Sequence, residues 1–327
     1  MKSVALGAIT RFAPLFIGAA RRSRLATLIY HRVVPEPDPL RPGEPTVAEF
    51  EWQMRLLRRH FAPLPLGEAV QRLAAGDLPP RAVCVTFDDG YADNAELALP
   101  VLQQYGIPAT VFVSTGFLNG GRMWNDTVIE AVRREKSGVL DLSPIGLAEH
   151  TLGSEAERLV AIEQILRTIK YETPRRRKEA VAELVGDDGA LPQDLMMTDD
   201  QVRKLHAAGI EVGAHTVNHP ILASISDEDA RREIASSRDY LQSLLQSEVS
   251  SFAYPNGKPE HDYRQTHRDV CAELGFSRGV STHWGAGIAD SDPLQLPRFT
   301  PWDKTETRFA LRLLLSYRNA DPLVAHS

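Results

Sequence analysis

Short runs of apolar and β-branched residues recur along most of the chain, separated by longer segments of mixed polarity. The runs are nearly continuous in apolar character, which is typical of strands buried on both faces of a parallel sheet. Seven runs are predicted to be strands: 26–30, 82–87, 109–113, 210–214, 251–254, 278–281 and 294–296.

The segments between these runs have the pattern of helices, predicted at 47–59, 66–75, 94–105, 199–208, 227–246 and 263–274. The helix after Thr198 has clear ends, because Gln201 follows the cap residue by three positions and Gly209 supplies a stop. Alternating strands and helices predict an α/β fold. A barrel with fewer than eight strands fits the seven runs, with an open sheet as the alternative.

The stretch 119–195 interrupts this alternation with charged helical sequence and no convincing strand, so it is predicted to be a helical insertion. The domain organisation that follows has three parts. Residues 1–24 are predicted to form a basic amphipathic arm, 25–303 the barrel, and 304–327 a C-terminal helix and tail.

Composition and charge narrow the functional classes. Hydrophobic residues make up 43% and charged residues 24% of the chain, which is typical of a globular protein. The net charge of -6 and a pI near 6.0 argue against a nucleic-acid partner. Cys84 and Cys271 have no C-x-x-C neighbour, so a thiolate metal site is not expected and a reducing compartment is the simpler interpretation.

Residues 1–24 bear on where the protein resides. Arg11 and Pro14 interrupt the apolar stretch that a cleaved secretion signal requires, and no run reaches the ~18 apolar residues of a membrane span. The arm is predicted either to be soluble or to lie as an amphipathic helix on an anionic membrane. We therefore expect a cytoplasmic protein, at the membrane face if the arm binds there; secretion is less favoured.

Two adjacent carboxylates, Asp88 and Asp89, follow directly on an apolar strand and precede Gly90. Like charges held together in a low-dielectric site repel each other, and a divalent cation is the usual compensation. A helix cap is the structural alternative, but a cap accounts for one aspartate and not for both. The pair is therefore predicted to take part in metal chemistry.

A second candidate is the pair His215 and His219, which follows the predicted strand 210–214. On a helix, residues four apart face the same side, so both imidazoles suit one ion. Two histidines and one carboxylate leave open positions on a metal, as in catalytic zinc sites. The second carboxylate is then free to deprotonate water.

These motifs together resemble a known family. Residues 86–91 (TFDDGY), 215–219 (HTVNH) and 252–257 (FAYPNG) are similar to the first three signature motifs of the polysaccharide deacetylases, carbohydrate esterase family 4. Residues 30–33 and 108–113 match a common branch of that family. The resemblance implies a distorted (β/α)7 barrel of the NodB-homology type.

The resemblance also implies roles for individual residues. Asp88 would be the general base, and Asp89, His215 and His219 would hold a divalent metal. Zinc is the default ion, with cobalt, manganese and nickel as alternatives.

Substrate contacts are implied in the same way. The backbone N–H of Tyr91, or of a nearby residue, would contribute to an oxyanion hole. Tyr254 and Pro255 would line the substrate groove.

The chain departs from the family pattern at two positions. The arginine that usually precedes the Tyr-Pro pair is replaced here, and Arg298 is predicted to reach the catalytic aspartate instead. The late general-acid histidine is also missing. His31 is predicted to replace it, since the first and last strands of a closed barrel are neighbours; His283 is a weaker candidate.

The function expected from these residues is metal-dependent hydrolysis of the N-acetyl group of an amino sugar, with release of acetate. The expected partner is an N-acetylated glycan or a lipid-linked sugar. An amidase or O-esterase acting on a small molecule, and a catalytically silent glycan-binding domain, are the alternatives.

Overall fold

Seven parallel strands form the central barrel of the computed structural model, which describes residues 23–186, 191–319 and 323–326. Most of the predicted arm at 1–24 lies outside these residues. In chain order the strands are β1 (Leu25–Tyr30), β2 (Ala62–Pro63), β3 (Ala82–Phe87), β4 (Ala109–Val113), β5 (Val139–Leu140), β6 (His150–Thr151), β7 (Glu211–Ala214), β8 (Ser251–Ala253), β9 (Arg278–Trp284) and β10 (Leu296–Arg298).

The strands of the barrel pair in the order β1-β3-β4-β7-β8-β9-β10, and β2 adds to β3. The ring is nearly closed, because Ile29 N–H donates to Phe299 O at 3.0 Å and Phe299 N–H donates to Thr27 O at 2.7 Å. Pairing between β7 and β8 is reduced to Ala214 with Phe252, which distorts the barrel there. The expected distorted seven-stranded barrel is confirmed.

Helices pack around the barrel and also form the insertion at the carboxyl ends of its strands. They are α1 (Val47–His60), α2 (Leu66–Ala75), α3 (Leu99–Tyr105), α4 (Trp124–Arg134), α5 (Glu155–Ile169), α6 (Pro174–Val185), α7 (Asp199–Ala207), α8 (Asp227–Leu245), α9 (Gln265–Glu273) and α10 (Glu306–Ser316). None of the helices described is both long and apolar enough to cross a membrane.

Successive side chains of a strand point to opposite faces, so each barrel strand contributes both to the core beneath the helices and to a core inside the barrel. In β3, Val83, Val85 and Phe87 face the helices, whereas Ala82 and Cys84 belong to a separate inner cluster. Cys84 and Cys271 are buried free thiols.

Two predictions about elements need correction. The insertion does contain strands, because β5 and β6 form a short antiparallel hairpin; strands of two residues carry too little periodicity to be recognised. The last barrel strand is β10 and not 294–296. Pro297 argued against a strand at this position, since proline is tolerated within a sheet only at an edge or an irregularity. The structure has such an irregularity, because the pairing of β10 with β9 shifts register between Leu296 and Arg298.

The helices of the insertion build a core of their own. Val128 of α4, Ile165 of α5 and Val181 of α6 are buried in one apolar cluster, together with Leu40 from the loop after β1. Arg41, in the same loop, forms ion pairs with two residues of α4 in the insertion, Asp126 at 2.8 Å and Glu130 at 2.7 Å. The insertion is thereby fixed against the carboxyl ends of the barrel strands. The exact division into domains stays a prediction.

Candidate active site

The candidate site is a cavity of about 520 Å³ at the carboxyl ends of the barrel strands. Asp88 and Asp89 reach it from the end of β3, His215 and His219 from the segment after β7, and His31 from the end of β1. Loops after parallel strands meet at this end of a barrel, which is why residues far apart in sequence converge there.

The turn after β3 separates the two aspartates. Asp89 has φ +75°, in the left-handed region that a residue with a side chain rarely adopts, and Gly90 follows with φ +90°. The positive φ favours glycine at position 90, and a Cβ there would also lie close to Val113 Cγ1, at 3.1 Å. The strained turn directs the two neighbouring carboxylates to different partners.

Asp88 is paired with Arg298. The guanidinium donates two parallel hydrogen bonds of 2.7 Å to the carboxylate oxygens, and its Nε–H donates to Ser281 O at 2.8 Å. Arg298 is 1% exposed and Asp88 3%. Burial by itself would raise the pKa of Asp88, but Arg298 and His215 outweigh it and hold that pKa below its usual value. Asp88 is therefore an oriented carboxylate at neutral pH.

The two histidines are brought together by a loop. The helix expected from their spacing is not formed. Thr216 and His219 have φ +64° and +50°, and His219 N–H donates to Thr216 Oγ1 at 3.1 Å. Glu233 of α8 accepts hydrogen bonds from Val217 N–H at 2.9 Å and Asn218 N–H at 2.8 Å. These contacts bring the imidazole rings to a centroid distance of 4.8 Å.

The geometry around Asp89 fits a metal ion. His215 Nε2 and His219 Nε2 each lie 3.4 Å from Asp89 Oδ1. Zinc with ligands at about 2.1 Å in tetrahedral geometry places neighbouring ligand atoms roughly 3.4 Å apart. Asp89 Oδ1 is buried and makes no hydrogen bond within the described part of the chain, as expected for an atom reserved for a cation.

The protonation states fit as well. His215 Nδ1 lies 2.7 Å from Ala253 O; a carbonyl only accepts, so Nδ1 carries a proton and Nε2 is the ring nitrogen that faces Asp89. Burial lowers the pKa of His219 to about 4, which keeps this imidazole neutral at neutral pH. Burial opposes ionisation of Asp89, but His215 and His219 outweigh it and lower the pKa of that carboxyl. Two imidazoles and one carboxylate are the donor set of a catalytic zinc site.

His31 lies in the same cavity as Asp88, as expected of a proton donor facing the base. Burial would lower its pKa, but the charges of Asp89, Asp88 and Glu44 prevail and raise it. A bound cation would offset part of that effect. The role of His31 as general acid stays a prediction.

Tyr91 also lines the cavity, and its ring is held in place by several polar groups. The hydroxyl donates to Asp126 Oδ2 at 2.8 Å, while the guanidinium of Arg32 lies 4.8 Å from the ring centre. Arg41 pairs with Asp126 at 2.8 Å and with Glu130 at 2.7 Å. The insertion is thus connected to the catalytic turn. The oxyanion role of the Tyr91 backbone stays a prediction.

Tyr254 and Pro255 are not placed where the resemblance implied. Tyr254 is 0% exposed, and its ring stacks on Tyr263 at 3.8 Å in the outer core. Strand alternation explains this position, because Phe252 and Tyr254 face the helices while Ala253 faces the barrel interior. Of the described residues in this loop, it is Asn256 that lines the cavity.

Several residues of the site gave no sequence signal. Glu233 is one of many charged residues on α8, and only its distance to the histidine loop reveals its function. Arg167 and Lys170 on the insertion line the cavity opposite the barrel, although nothing in the local pattern distinguishes them from solvated helix residues.

Comparison with known proteins agrees with this geometry. The chain is 28% identical over 177 residues to the poly-β-1,6-N-acetyl-D-glucosamine N-deacetylase of Staphylococcus aureus (strain MRSA252), covering 51% of this chain and 59% of that enzyme. It is 22% identical over 285 residues to YxkH of Bacillus subtilis (strain 168), covering 86% of this chain and 73% of YxkH.

Solved structures show the same fold. The Streptococcus pyogenes deacetylase PplD in complex with acetate has a TM-score of 0.59 at 21% identity, covering 89% of this chain and 98% of that one. IcaB from Ammonifex degensii has a TM-score of 0.58 at 21% identity, covering 90% of this chain and 97% of the IcaB chain.

The sequence model of the polysaccharide deacetylases matches residues 75–278, a range that begins before β3 and includes both the Asp-Asp-Gly turn and the histidine loop. The match covers more than half of the chain and confirms the resemblance seen in the motifs. The enzyme class expected from it, hydrolases of carbon–nitrogen bonds other than peptide bonds, is confirmed with it. The chain therefore belongs to the polysaccharide deacetylase family.

Proposed function

We propose that this protein is a metal-dependent N-deacetylase that removes the acetyl group from an amino sugar of a glycan or glycolipid. One observation carries the proposal: three side chains grouped as potential metal ligands and an arginine-paired carboxylate face the same cavity. Structural metal sites are closed by four protein ligands, whereas three ligands beside a base leave room for substrate and water. The N-deacetylase relative from Staphylococcus aureus supports the choice of acetamide as substrate.

The ion is held by Asp89, His215 and His219 in this proposal, with zinc as the default and cobalt, manganese or nickel as alternatives. When bound, it would supply a Lewis acid that polarises the acetamide carbonyl and lowers the pKa of water. Glu233 positions the histidine loop, and Ala253 O fixes the tautomer of His215.

The remaining steps belong to side chains of the chain itself. Asp88 accepts the proton of the attacking water, while Arg298 keeps its carboxylate ionised and oriented. His31, at the end of the neighbouring strand β1, donates a proton to the departing nitrogen. The Tyr91 N–H contributes a hydrogen bond to the developing oxyanion.

Acetate release from N-acetylated oligosaccharides by metal-reconstituted protein tests the proposal. Chelation should abolish release and Zn²⁺ or Co²⁺ should restore it; full activity in metal-free protein would refute the mechanism. Release from small acetamides or O-acetyl esters only, and from no sugar, would identify the protein as an amidase or O-esterase instead. Binding of sugar without any release would indicate a silent glycan-binding domain.

Two variants separate the base from the ligands. Asp88→Asn should lose turnover and keep bound metal, whereas His215→Ala should lose both, as measured by acetate release and metal analysis. Asp200→Asn and His206→Ala, which change exposed residues of α7, serve as matched controls. Near-wild-type turnover in Asp88→Asn would show that the base is another residue.

The cellular location is proposed from the sequence alone. We propose a cytoplasmic protein whose residues 1–24 contact an anionic membrane surface. Fractionation of the full chain beside a variant lacking residues 1–24 tests this; identical soluble fractions would leave the arm without that role.

A further inference from the structure

One wall of the catalytic cavity comes from the insertion and is basic. Arg167 and Lys170, at the end of α5, line the cavity that also contains Asp88 and the histidines. They lie three residues apart, a spacing that places both side chains on the same side of a helix. The wall is held against the barrel by the buried ion pairs of Arg41 with Asp126 and Glu130.

Within residues 23–186, 191–319 and 323–326, neither Arg167 nor Lys170 lies within ion-pair distance of an acidic group. The ammonium of Lys170 lies 5.5 Å from the ring centre of Tyr171, and burial lowers its pKa in spite of the more distant Asp262. Other arginines of the insertion do have partners; Arg133, for example, contacts Asp38 at 2.6 Å and Glu130 at 3.1 Å.

The acidic groups of the cavity face groups other than Arg167 and Lys170. Asp88 pairs with Arg298, Asp89 faces the two histidines, and Glu44 accepts a hydrogen bond of 3.2 Å from Arg32 N–H. The end of α5 accounts in part for a cation there, because the carbonyl end of a helix attracts positive charge. That attraction does not require the two side chains to face a cavity.

We propose that Arg167 and Lys170 bind an oxyanion group of the substrate, a phosphate or a carboxylate carried beside the N-acetylated sugar. This rests on the proposed deacetylase function and adds the charge of the substrate to it. A guanidinium and an ammonium on one helix face are suited to an oxyanion, which accepts several charge-assisted hydrogen bonds. The cavity, at about 520 Å³, has the size of pockets that hold small ligands.

Three N-acetylated substrates of matched length test the proposal with metal-reconstituted protein. They are a neutral N-acetylglucosamine oligomer, the same oligomer with a phosphate diester at its reducing end, and an oligomer in which N-acetylglucosamine alternates with a uronic acid. At least one anionic substrate should have a kcat/KM about tenfold above the neutral one, an advantage that shrinks as salt is raised. The phosphate and carboxylate arms identify which oxyanion is preferred.

The variants Arg167→Gln and Lys170→Gln should each reduce the ratio of anionic to neutral kcat/KM about threefold, through KM and not through kcat, so that together they account for the tenfold advantage. Their melting temperatures should stay near wild type, which separates substrate binding from helix stabilisation. Arg203→Gln, at a half-exposed arginine on α7, is the matched control and should leave the ratio unchanged.

Two failures are distinguishable. Equal acetate release from all three substrates would overturn the anion site and leave the deacetylase function intact. If none of them is deacetylated, equilibrium binding of the phosphate-bearing and the neutral oligomer to the wild-type chain decides the anion site by itself. Equal or weaker binding of the phosphate-bearing oligomer, or binding unaffected by Arg167→Gln, would overturn it.

Discussion

Replacing Arg298 by methionine should destabilise the protein strongly, because it removes the partner of a buried charge. The side chains of Arg298 and Asp88 are 0% and 4% exposed, and two hydrogen bonds of 2.7 Å join them. Breaking a buried ion pair by deleting one partner costs about 3–5 kcal/mol, since the other charge stays buried without compensation. Methionine occupies much of the same space, so cavity formation adds little.

A double-mutant cycle tests this cause directly. Wild type, Arg298→Met, Asp88→Asn and the double variant are compared by urea unfolding at the same zinc concentration. The double variant should recover more than half of the loss seen in Arg298→Met, because no unpaired charge remains. Recovery is incomplete, since Ser281 O also loses its hydrogen bond. A double variant no more stable than Arg298→Met would refute the buried-charge explanation.

The same substitution should impair catalysis. A positioned base contributes about 10²–10⁴-fold to rate, so loss of its orientation should lower kcat by about 10²-fold with bound zinc retained. Arg298→Lys should fall between wild type and Arg298→Met, because lysine keeps the charge but not the paired donors. Wild-type kcat in Arg298→Met would exclude a positioning role.

Three further predictions concern the surroundings of the site. Glu233→Ala should weaken zinc affinity about 10–100-fold in a chelator competition, because the histidine loop loses the carboxylate that holds its backbone. Glu228→Ala, at an exposed residue of the same helix, is the control. Equal zinc affinities of Glu233→Ala and wild type would contradict the positioning role of Glu233. Arg41→Met should cost about 3–5 kcal/mol of unfolding free energy, since the Asp126 carboxylate stays buried and loses its ion-pair partner. A loss below about 1 kcal/mol in urea unfolding would show that the network is dispensable. His31→Ala should lower kcat about 10²-fold while zinc content stays constant, and unchanged kcat would assign the general acid elsewhere, with His283 tested next.

The residue types of the site were predictable from the sequence, whereas the backbone conformation of the histidine loop and the position of Tyr254 were not. The Asp-Asp pair and the His-x-x-x-His pair indicated a metal site because unusual residue types stood at predicted strand ends. The helical explanation for His215 and His219 was wrong, since Thr216 and His219 adopt left-handed backbone conformations that no spacing reveals. The motif resemblance misplaced Tyr254, because the alternation of β8 turns its ring outward onto Tyr263.

The sequence by itself determined the alternating α/β plan, the strand ends that carry the chemistry, and the insertion, because hydrophobic periodicity and residue type are local properties. Only the tertiary structure decided which side chains meet. Arg298 lies 210 positions from Asp88, and their contact depends on closure of the barrel between β1 and the end of β10. Glu233, Arg167 and Lys170 acquire their proposed roles from the packing of helices against the strand ends. Such long-range contacts leave no periodic trace in a single chain.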